Sequence, residues 1–386
     1  MPVSFCKTER QDRLYKMIGE LADRFHERAA DYDETGEFPV LNTDDLKAAG
    51  YTALTVPKEY GGKEGLTLYE FVLLQERLAQ GDGATALSIG WHLGIIMEIF
   101  EKKRWKEDKL AFIAKEVMNG ALFNRAATEP QTGSPTRGGK PQTTATKVGN
   151  KWHVTGRKTF TTMAPVLDYI GVIASIEGTD LTGEFLVSRK KGGVKIEETW
   201  NTISMRGTGS HDLVLENVIL EDDELVEIAT PEMKGKASGW LLHIPACYLG
   251  IAMAARNVAV KFANEYSPNS VRGPIKMIPN VQRMVGEMEA ELLQARHVLF
   301  SIADKWDHTT SRDDLGPELG LAKYFATNNA ISVVDKAMRI VGAQSLQKKN
   351  PLQRYYRDVR AGLHNPPMDD MTITKLAQAA FDDYER

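Results

Sequence analysis

Ala127-Thr128-Glu129-Pro130-Gln131-Thr132-Gly133-Ser134 and, a little further on, Trp152-His153-Val154-Thr155-Gly156-Arg157-Lys158-Thr159-Phe160-Thr161-Thr162 are the stretches on which the reading of this chain turns. The first ends a β-rich run at a proline, and its Gly133-Ser134 pair combines close backbone approach with a hydroxyl. The second is rich in threonine and β-forming residues. Between them Thr143 to Lys147, a Gly149-Asn150 turn and the run from Trp152 read as short strands about a tight connection.

Working outward, the same texture spans about residues 121 to 225, with further runs at Tyr169 to Ile176, Glu184 to Val187 and His211 to Leu220. Strands at this spacing predict a small antiparallel sandwich or barrel. On either side the apolar period is helical. Residues 1 to 120 carry it in Tyr15, Ile18, Leu21, Ala22 and Phe25 and in Leu68, Phe71, Val72, Leu74 and Leu78, with Val56-Pro57-Lys58-Glu59-Tyr60-Gly61-Gly62 as a loop between helices. Residues 226 to 386 carry it most clearly in Val281, Met284, Val285, Met288, Leu292, Ala295 and Leu299, a stripe expected to be core between bundled helices. The expected fold is therefore α+β, with an N-terminal helical domain, a central β domain and a C-terminal four-helix bundle.

The 386 residues are ample for a large core, and 48 basic against 52 acidic side chains leave no global attraction for nucleic acid or an anionic membrane. Cys6 and Cys247 lie far apart and match no metal-ligand spacing, so no metal site is expected and a reduced cytoplasmic setting is the default. No uncharged apolar run of spanning length and no signal-peptide pattern is present. The glycine pairs Gly138-Gly139 and Gly192-Gly193 open no strand–turn–helix, which argues against a dinucleotide-binding Rossmann site. Phosphate-loop, zinc-peptidase and serine-hydrolase motifs are also missing.

Five segments in order resemble the acyl-CoA dehydrogenase family: Val56 to Gly62 its V-P-x-x-Y-G-G loop, Ala127 to Ser134 its T-E-P-x-x-G-S stretch, and Trp152 to Thr162 its second flavin strand. Met205-Arg206-Gly207-Thr208-Gly209-Ser210 resembles its M-R-x-S/T-x-S segment, and Arg354-Tyr355-Tyr356-Arg357-Asp358-Val359-Arg360 its R-x-x-R-D-x-R/K. The resemblance implies a flavin held by Ala127, Thr128, Gly133, Ser134, Phe160, Thr161 and Thr162. Hydroxyls and backbone N–H groups would bond the polar edge of the ring, and Phe160 would cover a face. FAD is the implied cofactor, with FMN or a reduced flavin supplied in trans as the alternative.

The family's α,β-dehydrogenation needs a carboxylate to take the α-proton of an acyl thioester. In many members a glutamate supplies it eight residues past the R-D pair, where this chain has Pro366 within Leu363-His364-Asn365-Pro366-Pro367-Met368-Asp369-Asp370. Another branch uses the first helix after the sheet, where Gly239-Trp240-Leu241-Leu242-His243 offers no carboxylate. Asp370 is the candidate replacement, with Asp369 beside it. The L-H-N-P run also resembles the L-H-D-P of the family's flavin monooxygenase branch, which makes His364 and His92 candidates to assist oxygen chemistry. Each histidine has a structural reading too: His92 as a hydrogen-bonded core residue, His364 as a partner of terminal helix carbonyls, and His243 with Trp240 as packing.

Arg272, near a displaced R-x-x-F-G-x-P-I, and Arg339 with Gly342, where the family has Q-x-x-G-G, are candidates to meet a pyrophosphate across a subunit boundary. The resemblance accordingly implies a homotetramer or homodimer. The leading functional expectation is oxidation of an acyl-CoA thioester, with electrons passed to an electron-transfer flavoprotein. A two-component monooxygenase served by a flavin reductase is the alternative. A third is a degraded homologue that binds flavin or acyl-CoA.

Overall fold

The computed structural model describes residues 4–63, 65–132, 139–230, 233 and 235–384. Five helices come first: α1 (Glu9–Thr35), α2 (Val40–Ala48), α3 (Leu68–Ala79), α4 (Gly83–Lys102) and α5 (Glu107–Met118). Local chemistry sets their ends. The Thr8 side chain accepts from Gln11 N at the start of α1, and Gly36 closes it at φ 75°. Thr67 and Glu70 form a reciprocal capping box on α3, and Asp82 caps α4 through Thr85 N. The expected loop at residues 56–62 is present, with one short turn at Lys58–Tyr60.

The central strands are β1 (Phe123–Ala126), β2 (Thr144–Val148), β3 (Lys151–Thr161), β4 (Tyr169–Ile176), β5 (Thr182–Ser188), β6 (Val194–Glu197), β7 (His211–Glu221) and β8 (Leu225–Ile228). They form one hydrogen-bonded path, β6-β7-β3-β2-β4-β5-β8, with β1 added beside β4. Two findings refine the expectation. The pairings β1–β4 and β2–β4 are parallel: with β5 along one edge of β4, β1 and β2 share the other, β1 beside Tyr169–Val172 and β2 beside Ser175 and Ile176. The sheet also outlasts residue 225, since β8 pairs with β5 through Ile228.

After the sheet come α6 (His243–Glu265), α7 (Pro279–His308), α8 (Gly316–Val341), α9 (Pro351–Asp358) and α10 (Asp369–Tyr384). Helices α6 to α9 pack on one another as the bundle, and α10 lies on α8. The stripe on α7 is core as expected, with Met288 and Leu299 fully buried. By length and composition α4 and the segment 239–265 could cross a bilayer, but the most apolar windows are 89% and 72% buried inside the protein. Their apolarity is spent on the core, where α4 packs against α3 and α6.

Two polar ties join the parts. Asp358, at the end of α9, accepts from Met205 N at 2.7 Å, and Arg357 pairs with Asp33 of α1 while donating to the Ile203 carbonyl at 2.7 Å. Arg206 donates to the Asp33 carbonyl at 2.6 Å. The second tie is within the sheet: Lys158 Nζ meets Glu129 Oε1 at 2.6 Å, with both side chains sealed from solvent.

Glu129 also accepts from Gln142 N at 2.6 Å, Thr143 N at 3.0 Å and Thr132 Oγ1 at 2.8 Å. Burial pushes its carboxyl up, but the hydrogen bonds from Lys158, Thr143 and Gln142 outweigh that and hold it down at about 2. Its stabilising contribution is therefore complete above the ordinary glutamate range and is lost as pH falls towards 2. Lys158→Met, which strands a buried carboxylate, should cost about 3 kcal/mol in denaturant unfolding, and adding Glu129→Gln should recover most of it. Equal stability of wild type and Lys158→Met would refute this account of the pair.

Candidate flavin and substrate site

Strand β3 departs from regular pairing twice against β7, between Val154 and Gly156 and between Lys158 and Thr161. A bulge inserts an unpaired residue and re-aims the side chains beyond it. Lys158 keeps the inward face it shares with Trp152 and Val154, and the second irregularity, which adds a residue to β3, leaves Phe160 63% exposed at φ 55° and Thr161 inward. A positive φ at a bulky residue is uncommon and persists where the surroundings impose it. The first irregularity places its extra residue on β7, where Asn217 has φ 51°, and Gly156 opposite lets Thr143 pack close, since a Cβ there would lie 2.4 Å from Thr143 Oγ1.

The described parts of the two segments expected to form one bed lie side by side. Thr159 N donates to the Thr128 carbonyl at 2.9 Å, and Asn124 Nδ2 donates to the Thr162 carbonyl at 2.9 Å. Ala127 and Thr128 sit half-buried at the end of β1. The side chain of Phe160 meets Trp200 edge-on at 5.9 Å. Thr161 Oγ1 is buried without a partner, which suits a donor or acceptor from a bound ring. Gly133 and Ser134 lie outside the described residues.

Thr162 belongs to a hydroxyl chain that motif reading did not single out. Its Oγ1 lies 2.9 Å from Ser210 Oγ, which lies 2.8 Å from Thr208 Oγ1, which donates to the Met205 carbonyl at 3.0 Å. Each hydroxyl has one hydrogen to give. With Thr208 committed to Met205, Ser210 donates to Thr208 and Thr162 to Ser210, leaving the Thr162 oxygen as an acceptor for a ligand N–H. Ser210 and Thr208 stand in the M-R-G-T-G-S segment, so the signal was in the sequence; the contact with Thr162 was not.

The remaining candidates are dispersed. His92 is corrected to a structural residue: fully buried, it has Nε2 2.9 Å from the Thr52 carbonyl and Nδ1 accepting from Phe123 N at 3.0 Å. Burial pushes its imidazole down to about 4, so it stays neutral and pins α4 to the start of β1. His364 is exposed where the short helix at Val359–Leu363 ends, its N–H bonded to the Ala361 carbonyl at 3.0 Å. Asp369 is held by Lys323 Nζ at 3.1 Å and Asn328 Nδ2 at 2.9 Å, and Asp370 is exposed on the first turn of α10.

The loop that carries these residues reaches the bed through α6. Tyr248 Oη donates to Asn365 Oδ1 at 2.5 Å, and the adjacent Cys247 bonds the Gly83 carbonyl at the start of α4. Arg272, Arg339 and Gly342 are all exposed on the helical domain, with Arg339 paired to Asp335 at 2.7 Å. Among the described residues no group of three or more His, Cys, Asp or Glu is placed to hold a metal ion. A separate cavity of about 160 Å³ lies where α4 meets β5 and β8, lined by charged side chains that include Glu98, Arg125, Glu184 and Glu227.

Family models for the N-terminal, middle and C-terminal domains of acyl-CoA dehydrogenases match residues 8–115, 124–218 and 242–365. The chain belongs to the acyl-CoA dehydrogenase family. It is 58% identical over 378 residues to the putative acyl-CoA dehydrogenase YdbM of Bacillus subtilis (strain 168), covering 98% of this chain and 99% of that one. It is 30% identical to the 3-(aryl)acrylate reductase of Clostridium sporogenes (strain ATCC 15579), over 92% of this chain and 93% of the relative. The structure of butyryl-CoA dehydrogenase from Megasphaera elsdenii superposes with a TM-score of 0.89 over 98% of this chain and 100% of that one, at 19% identity, a likeness of fold. The protein is thus a flavin-binding oxidoreductase of this family, and the bed from Thr128 to Ser210 fits such a ring through its orphaned hydroxyl and its outward aromatic side chain.

Replacing Thr162 by valine removes the acceptor and leaves Ser210 without its donor. Flavin affinity should fall about tenfold, read by quenching of flavin fluorescence on titration. An unchanged affinity would detach Thr162 from the flavin.

Proposed function

We propose that this acyl-CoA dehydrogenase family member interconverts the saturated and α,β-unsaturated forms of an acyl-CoA thioester, exchanging electrons with a separate electron-transfer flavoprotein. The observation that carries this reading is the bed itself: two strand segments welded together, with an acceptor oxygen at Thr162 and an unspent hydroxyl at Thr161. A bound flavin, here FAD, would supply the two-electron acceptor. Thr128, Thr161 and Thr162 would orient its polar edge, and Phe160 would cover one face. Arg272 and Arg339 are assigned to the cofactor of an adjoining subunit in a homodimer or homotetramer. Their exposure supports that, together with bare apolar side chains on the same segments, Met277 at 62% and Leu346 at 71% exposed.

Oxidation also requires a group to accept the α-proton as the β-hydride leaves. Asp370, exposed on the first turn of α10 just past the position of the family's glutamate, is the carboxylate assigned to this step. The alternative of a monooxygenase fed with reduced flavin depended on His92 and His364, and it loses His92, whose ring nitrogens are occupied by backbone groups.

The test is anaerobic. Purified protein should retain flavin, identified as FAD after release, and an acyl-CoA should bleach its visible absorption. Asp370→Asn should slow bleaching at least about a hundredfold while flavin stays bound. Turnover only with a flavin reductase and oxygen would replace the proposal by the monooxygenase, and undiminished bleaching in Asp370→Asn would remove Asp370 from the chemistry.

A further inference from the structure

His243 begins α6 fully buried, and neither ring nitrogen has a hydrogen-bond partner. Trp240 Nε1, one turn earlier, is also buried and unpartnered. Buried side-chain polar atoms nearly always find a partner, and each that does not detracts from stability. His92 makes the contrast inside the same protein: it is as deeply buried, with both nitrogens engaged.

The walls around His243 are aromatic. Trp240 lies parallel to the imidazole at 5.8 Å and 7°, Phe71 at 6.0 Å and 23°, and Trp91 meets it edge-on at 5.1 Å. Two glycines of α4 make the room. A Cβ at Gly90 would lie 2.3 Å from His243 Nδ1, and one at Gly94 would lie 2.4 Å from Trp240 Cε3. Desolvation alone pushes the imidazole down to about 3, so the ring is neutral and offers one donor and one acceptor.

This cluster shares a face of α4 with the flavin bed. Gly83, at the start of the helix, abuts Ile251 and Met205, and the Met205 carbonyl ends the hydroxyl chain that leads to Thr162. From Gly83 to Gly90 the helix rises about 10 Å at 1.5 Å per residue. The buried side chains between them include Ala86 and Leu87, small or apolar. Ile251 closes this face at Gly83 and His243 closes it at Gly90, so a ligand reaching from the bed to the aromatic rings and the unspent imidazole would displace side chains of α6.

We propose that His243 is the polar end of the substrate chamber, bonding a hydroxyl or carbonyl on a planar, aromatic acyl group whose ring lies against Trp91 and Trp240. This deepens the acyl thioester reading and rests on it. Stacked and edge-on neighbours are the arrangements aromatic rings favour. The bonded substituent is neutral, because a charge placed there would be buried with no countercharge among these neighbours. Half-buried Trp91 is the side of the cluster through which the ring enters.

The experiment compares phenylpropanoyl-CoA with its para-hydroxy counterpart on the flavin-loaded protein. Binding is read from quenching of tryptophan fluorescence and chemistry from flavin bleaching. Wild type should bind the hydroxylated probe about tenfold more tightly, and His243→Phe should lose that margin, keep the plain phenyl probe within about threefold, and melt at a higher temperature. His243→Leu gives the same readout where Phe does not fit. An equal margin in wild type and variant, or none in wild type, overturns the inference while bleaching by either probe leaves the acyl thioester reading standing. A margin that depends on His243 without bleaching upholds the chamber and removes the dehydrogenation.

Discussion

A lysine and a glutamate sealed from water fix the geometry on which the flavin bed depends. Glu129 stands in the turn after β1, and Lys158 stands between the two irregularities in the pairing of β3 with β7. Bringing both charges out of water costs several kcal/mol apiece, and the arrangement survives because Glu129 takes four hydrogen bonds at once. That constraint holds the Thr-Glu-Pro turn on the strand at the point where Thr159 bonds Thr128. It also sets the phase of β3, so that Phe160 must face outward and Thr161 inward. The left-handed backbone at Phe160 is a local cost borne by a tightly held surround.

The second constraint works at the scale of the domains. Asp33 comes from α1, Met205 from the segment before β7, and Arg357 with Asp358 from α9, so one knot joins all three parts. It fixes Met205, whose carbonyl receives the last hydrogen of the hydroxyl chain. The orientation of Thr162 is therefore set by backbone on the far side of Ser210, and a motif that reads as a row of small polar residues is a device for turning one hydroxyl into an acceptor.

Elements with a repeating pattern were legible in the sequence. The α7 stripe, the helical flanks and the strand runs follow from side-chain period, and the segments from Ala127 and from Trp152 to Thr162 were legible as neighbours, joined where Thr159 bonds Thr128. What depends on register was not. Alternation along β3 puts Lys158 on the same buried face as Trp152 and Val154, but the glutamate that matches it there, and the bulge that turns Phe160 outward and Thr161 inward, arise only in the fold. His92 looked like a candidate for chemistry because its partners, Thr52 and Phe123, come from segments that meet only in the fold. His243 was read as packing, and its position does pack, yet only coordinates reveal that its nitrogens are unspent. The C-terminal loop lacks the family glutamate in the sequence itself, but that Lys323, buried on α8, holds Asp369 follows only from the fold.

Charge is distributed to a purpose in this molecule. Arg125 bridges Glu98 at 2.9 Å and Glu184 at 2.8 Å where α4 meets the sheet, Arg296 holds Glu76 between α7 and α3, and Lys158 holds Glu129 at the turn. Each buried ion is matched, so these pairs act as joints between elements and fix their register more than they add stability. Along the face of α4 that leads from Met205 to His243 the named groups are neutral: hydroxyls, glycines, aromatic rings and an imidazole kept uncharged by burial. A flavin reaction moves a proton and a hydride through a space whose low dielectric magnifies any stray field. The carboxylates that do stand at the Met205 end of that face, Asp82 and Asp358, are each tied to a backbone N–H, of Thr85 and of Met205, so their charge is spent on holding α4 and the segment before β7 in place.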